Sequence, residues 1–124
     1  QGTYGRALEI FQREPLYGNG WDYRHGSGHG IGSYLYIHEG PGWFATGCPT
    51  DAEEPLDIGF VITDEPGFYE DGHFGVRIET TLTVVNASTP NRFNNVDYYK
   101  FEPICYFPIQ RKLIDETIMS DHQV

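Results

Sequence analysis

The chain has 124 residues, enough for one domain with a core of its own. Apolar residues make up 39% and aromatics 15%, which describes a packed globular sequence and excludes a disordered one. Against 8 basic residues stand 18 acidic ones, for a formal charge of −10; phosphate binding needs a basic patch, so nucleic acid is excluded as a partner, and the acidic surplus serves solubility.

Two cysteines, Cys48 and Cys105, are too few to staple a fold, and we expect both to be reduced. No apolar run is long enough to span a bilayer, so no membrane partner is expected, and no signal peptide opens the sequence. The first residue is Gln1 and not methionine, which we read as a processed product or a piece of something longer.

Residues 3 to 14 predict a helix, because Tyr4, Ala7, Leu8 and Phe11 recur at three- and four-residue steps. Pro15, Gly18 and Gly20 are expected to end it. We assign this helix a packing role and no chemistry. Next comes His25-Gly26-Ser27-Gly28-His29-Gly30-Ile31-Gly32. A spacing of four places two histidines on one helix face in H-E-x-x-H zinc proteins. Here each interior glycine would cost a helix about 1 kcal/mol. The segment therefore reads as a loop whose backbone approaches a ligand and whose imidazoles aim independently. Tyr34 to His38 reads as a strand, closed by the turn signal Gly40-Pro41. Residues 40 to 57 read as a long loop, a length that is commonly functional or mobile.

Phe60 to Thr63 is a short apolar strand stopped by Glu65-Pro66-Gly67, and Glu70-Asp71-Gly72 marks a turn. Val76 to Val85 is the clearest strand. Its alternation puts Val76, Ile78, Leu82 and Val84 on one face and Arg77, Glu79, Thr81 and Thr83 on the other. If this strand pairs with residues 60 to 64, Glu65 and Glu79 converge on the polar side. Residues 86 to 97 read as a loop, Tyr98 to Phe107 as an edge or bulged strand because of Pro103 and Pro108, and Leu113 to Met119 as a terminal helix.

His29, Glu65 and Glu79 offer one nitrogen and two carboxylates. That set suits borderline to hard divalent ions such as Mn, Fe, Co or Zn and argues against a thiolate zinc site. A metal held there would activate water and polarise a carbonyl. His25 and His38, kept off the metal, are suited to hydrogen-bond a reacting carbonyl or to move protons near neutral pH.

The strings HGSGHGIGSYLYIHEGP, VITDEPGFYEDGHFGVRIE and FEPICYFPIQRKLID together resemble the C-terminal part of the catalytic domain of the Xaa-Pro aminopeptidase (aminopeptidase P) family. The resemblance runs from residue 23 to 115 and is closest in look to the larger, eukaryotic-type enzymes. It implies an α+β architecture, the C-terminal half of a pita-bread fold with a curved antiparallel sheet and flanking helices, shared with methionine aminopeptidase and prolidase. On that basis residues 1–124 are expected to form one segment of a metallopeptidase catalytic domain, with the upstream half and N-terminal domains absent.

The implied activity is hydrolysis of the bond between an N-terminal residue and a penultimate proline, so the implied partners are peptides with proline in second position. Two divalent ions are implied, most often Mn, with Zn or Co as alternatives. The resemblance makes His29 and Glu65 ligands of one ion and Glu79 a bridge between both. His25 and His38 become the histidines flanking the scissile carbonyl, and Arg77 and Tyr69 support the ligands.

Two further aspartate ligands of the family pattern lie upstream of the first histidine, farther back than Gln1, and Asp22 is in the wrong context to be one of them. The segment alone is therefore expected to be inactive, with an apolar face open to a partner or to a homodimer. The alternatives are a pita-bread module that binds proteins without catalysis, or a relative of prolidase or methionine aminopeptidase. The cytoplasm is the expected location.

Overall fold

A computed structural model describes residues 1–34, 36–47 and 53–120. One α-helix, α1 (Glu9–Tyr17), follows a 3-10 turn at Gly5–Ala7. Seven strands come after it among the described residues: β1 (Gly28–His29), β2 (Trp43–Phe44), β3 (Val61–Asp64), β4 (Gly67–Glu70), β5 (Phe74–Arg77), β6 (Thr80–Ala87) and β7 (Tyr98–Pro103). All pairings are antiparallel, in the order β3-β6-β7 for the central sheet, with β1-β2 and β4-β5 as two-stranded ribbons.

A bridge between Gly30 and Ile62 joins the β1-β2 ribbon to the central sheet. Backbone bonds from Ile31 to Val61 and from Glu65 to Ser27, both 2.9 Å, extend that junction.

The predicted strand from Val76 to Val85 is two strands in one hairpin. Asp64 pairs with Thr80 and Gly67 with Arg77, so the register is the same on both sides of the interruption. Pro66 explains the gap: it accepts from the Ile78 amide at 3.3 Å but has no N–H to return. Glu65 and Glu79 thus stand directly opposite each other across the hairpin.

The core cluster is Phe44, Leu56 and Ile62, with Leu8, Phe60, Leu82 and Phe101 packed against it. Ile62, paired with Leu82, is fully buried. Phe44 and Phe101 meet edge to face at 5.5 Å. The expected apolar alternation holds on β6, where Leu82 packs against the core and Val84 is buried, whereas Ile78, expected on the same face, is exposed.

Several expectations need correction. The helix continues through Pro15 to Tyr17, ending at Gly18, whose amide bonds the Glu14 carbonyl. Only Phe11, fully outside the core, loses a helical bond to the proline. Of the expected stripe, Leu8 packs against the core while Ala7 and Phe11 are exposed; Glu9, Gln12 and Arg13 complete the inward face. The described residues of 34 to 38 form no strand. They belong to an excursion that leaves at Gly30 and returns where the Glu39 amide bonds the Gly30 carbonyl at 3.1 Å, and Tyr34, Tyr36 and Ile37 point to solvent. Within residues 40 to 57, β2 forms and the buried Leu56 joins the core. β7 stops at Pro103 as the sheet edge, and residues 111 to 118 make two 3-10 turns in place of a terminal helix. Cys105 is exposed and unpaired, while Cys48 lies outside the described residues.

Candidate metal centre

The glycine loop reaches the sheet because two of its residues carry no side chain. A Cβ on Gly28 would sit 2.0 Å from the Thr63 carbonyl oxygen, and one on Gly30 would sit 2.1 Å from that of Glu39. Only glycine permits this approach. It brings His29 opposite Thr63, whose hydroxyl accepts from the His29 amide at 2.9 Å and donates to Glu65 Oε1 at 3.1 Å. Successive residues on one face of a strand are two apart, so Thr63 presents Glu65 on the same face as His29. The hairpin register adds Glu79.

One ligand atom from each of His29, Glu65 and Glu79 lies within 4.8 Å of the others. His29 and Glu65 are buried, at 7% and 8% exposure, while Glu79 is exposed. The His29 Nδ1 lies 2.9 Å from the Gly30 carbonyl, which can only accept. In the neutral imidazole this puts the proton on Nδ1 and leaves the Nε2 lone pair facing Glu65 Oε1 at 3.5 Å. Acceptors from three residues thus converge on one space, with two carboxylates opposed across a strand pair, an arrangement that like charges disfavour. A divalent cation resolves both conflicts, and the nitrogen and oxygen donors suit one.

The residues around this point form a chain of contacts. Arg77 Nη1 donates to Glu65 Oε2 at 3.3 Å, and its Nε donates to the Tyr69 hydroxyl at 2.9 Å. That bond to Tyr69 is the main cause of a raised Arg77 pKa; burial pulls the other way, and Glu65 and Glu79 add to the rise. Tyr69, its oxygen already accepting, donates to His25 Nε2 at 2.8 Å. His25 Nδ1 in turn donates to the Gly26 carbonyl at 2.7 Å. His38 joins from the excursion loop, its ring 4.5 Å from that of His29 in a T-shaped contact. All seven residues singled out in the sequence, His25, His29, His38, Glu65, Tyr69, Arg77 and Glu79, therefore gather in one region. Beside His25 opens a hollow of about 740 Å³, with Trp21, Arg24, Phe68 and Tyr69 among its walls.

Behind the loop lies a cluster that the sequence reading missed. Glu9 is 1% exposed. Its Oε1 accepts from Arg13 Nη2 at 2.6 Å, from Arg13 Nε at 3.0 Å and from Ser27 Oγ at 3.1 Å, and its Oε2 accepts from the Thr46 amide at 2.7 Å. Because Ser27 donates to Glu9, the Tyr23 hydroxyl donates to Ser27, at 2.5 Å. Burial lowers the pKa of Arg13, but its bonds to Glu9 and Asp22 outweigh that and leave it raised. The signal available in the sequence was the four-residue spacing of Glu9 and Arg13 on a helix.

An α+β chain that brings one imidazole and two carboxylates together beside a glycine loop carries the donor set of a divalent-metal centre. It belongs to metallopeptidase family M24, whose sequence profile matches residues 2–86. Aminopeptidase P2 of Arabidopsis thaliana is 47% identical over 126 residues, covering 100% of this chain and 17% of that protein. The X-prolyl aminopeptidase of Caenorhabditis elegans, a cytosolic enzyme with a di-nuclear active site, superposes with a TM-score of 0.85 at 32% identity, over 98% of this chain and 19% of its own. Dipeptidase PepE of Mycobacterium ulcerans matches with a TM-score of 0.55 at 33% identity, over 66% of this chain and 21% of its own. The α+β arrangement is that of the pita-bread enzymes of this family. The chain spans about a fifth of the length of these relatives.

Proposed function

We propose that the chain is a segment of the catalytic domain of a metallo-aminopeptidase that hydrolyses the bond between an N-terminal residue and a penultimate proline. The observation that carries this reading is the convergence of His29, Glu65 and Glu79 ligand atoms within 4.8 Å, in a chain 47% identical along its whole length to an aminopeptidase P. The better superposition on the X-prolyl aminopeptidase than on the dipeptidase supports this substrate class over that of a prolidase-like relative. A binding module without catalysis has no use for the retained donors.

In this reading His29, through Nε2, and the carboxylates of Glu65 and Glu79 would hold the divalent metal. The metal, Mn in our proposal, supplies an activated water and a polarised carbonyl. Arg77 balances the charge of Glu65 and keeps its second oxygen in place. His25 and His38 flank the scissile carbonyl. To engage substrate, His25 Nε2 exchanges the Tyr69 hydroxyl for the substrate and holds or releases a proton at that atom. The peptides served are those with proline in second position. We place the enzyme in the cytoplasm, because the Caenorhabditis elegans X-prolyl aminopeptidase that it resembles is a cytosolic enzyme. The solvent-facing Tyr34, Tyr36 and Ile37 are surface that the rest of the parent protein, or a second copy, would cover.

The test is hydrolysis of a peptide with a penultimate proline by the Mn-loaded parent protein and its His29→Ala variant. The variant is expected to lose activity together with bound metal. Activity retained at normal metal content would overturn the ligand assignment.

A further inference from the structure

We infer that Arg13 is the positioning residue that sets the place of His25, an inference that rests on His25 being a substrate-facing group. All five guanidinium N–H groups are engaged. Nε and Nη2 donate to Glu9 Oε1, at 3.0 and 2.6 Å. Nη1 donates to Asp22 Oδ1 at 2.5 Å and to the Tyr23 carbonyl at 2.9 Å, and Nη2 donates to the His25 carbonyl at 2.6 Å. The guanidinium also lies 4.0 Å from the centre of the Tyr23 ring, whose centre is 4.7 Å from that of His25.

The logic of this arrangement is a fork that grips the loop by its backbone. A loop rich in glycine does not hold an imidazole by its own stiffness. Arg13 fixes the two carbonyls on either side of Arg24 and, through Tyr23, lies next to the His25 ring. Glu9 fixes Arg13 from below, being buried and holding Ser27 and the Thr46 amide with its remaining capacity. With the backbone so fixed, His25 Nδ1 meets the Gly26 carbonyl and Nε2 meets Tyr69. Lysine cannot substitute, because its ammonium has three donors and no planar fork.

The experiment is long-range proton–nitrogen spectroscopy of the histidine rings in the 15N-labelled chain. The wild type should show His25 with its proton on Nδ1. In Arg13→Lys the His25 ring should become a mixture of tautomers, while His29, held by Gly30 and Thr63, keeps its own. A folded Arg13→Lys chain that is merely less stable, with the His25 tautomer unchanged, would overturn the inference. Should that variant not fold, Glu9→Gln carries the test: it keeps the carboxylate's volume but removes the charge that holds the fork, and an unchanged His25 there overturns the inference equally. In the Mn-loaded parent protein, Arg13→Lys should lower kcat about 10- to 100-fold at unchanged metal content. His25→Ala separates the two ideas. If it left activity intact, the catalytic reading of His25 would fall while the spectroscopic result on Arg13 stood.

Discussion

Glu65 and Glu79 face each other across a hairpin, with the His29 lone pair toward Glu65 and no hydrogen-bond donor to the Glu79 side chain among the described bonds. Arg77 bonds only Glu65, through its Oε2, and acts on Glu79 through space alone. Opposed like charges across a strand pair are destabilising by roughly 0.2–1 kcal/mol. Glu79→Gln should therefore stabilise the metal-free chain by about that amount in urea unfolding. Excess Mn should reverse the order, because the wild type gains from binding to the folded state and the variant loses a ligand. A variant less stable than wild type without metal would mean that the carboxylates do not repel. The same residue scale shows why lysine or arginine nearby is not a substitute for the ion. Arg77 is already committed to the Tyr69 hydroxyl, the contact that does most to raise its pKa.

At the scale of elements, the site exists because three stretches lie side by side in register, and the glycines of the loop make that possible. Gly28→Ala places a methyl group 2.0 Å from the Thr63 oxygen and 2.8 Å from the Phe44 ring. Overpacking of this kind costs about 1–3 kcal/mol or more, and we expect the urea midpoint to fall accordingly, with His29 displaced from Glu65. An unchanged midpoint would mean that the loop does not pack against β3 as described. These contacts also show what the sequence could and could not reveal. The alternation around Arg77 and Glu79 survives the break at Pro66, because a missing N–H interrupts the ladder without shifting the register. Tyr34 to His38 has the composition of a strand, yet strand propensity needs a neighbouring edge, and this segment has none among the described residues. On the helix, the apolar repeat found Leu8 on the inward face and missed the rest of it, because that side is completed by Glu9, Gln12 and Arg13. The four-residue spacing of Glu9 and Arg13 is the one trace of their ion pair, and nothing in it shows that the pair lies buried beneath a loop. Its partners, the carbonyls of Tyr23 and His25, belong to the backbone and are invisible in any residue pattern.

Considered as a whole molecule, the chain carries a small core on one side of its sheet and a polar, ligand-rich surface on the other. Few donors stand there: one imidazole and two carboxylates among the described residues within 4.8 Å. Fewer ligands mean an open site, and the relatives that it matches are about five times its length. Incubated with excess Mn and desalted, the 124-residue chain should keep no ion or one loosely held ion, read by elemental analysis. Two tightly held ions would mean that other residues of this sequence complete the set.

The gap at Pro66 has a bearing on which ion that is. Ladder bonds fix the spacing of facing residues on both sides of it, but Glu65 and Glu79 sit at the seam, where the two halves of the hairpin share only the single bond from the Ile78 amide. Glu65 is held on its other side by Ser27, Thr63 and Arg77, so adjustment to an ion's size falls to the exposed Glu79. We therefore expect manganese, cobalt and zinc to compete for these donors on comparable terms, which a competition titration followed by elemental analysis would check.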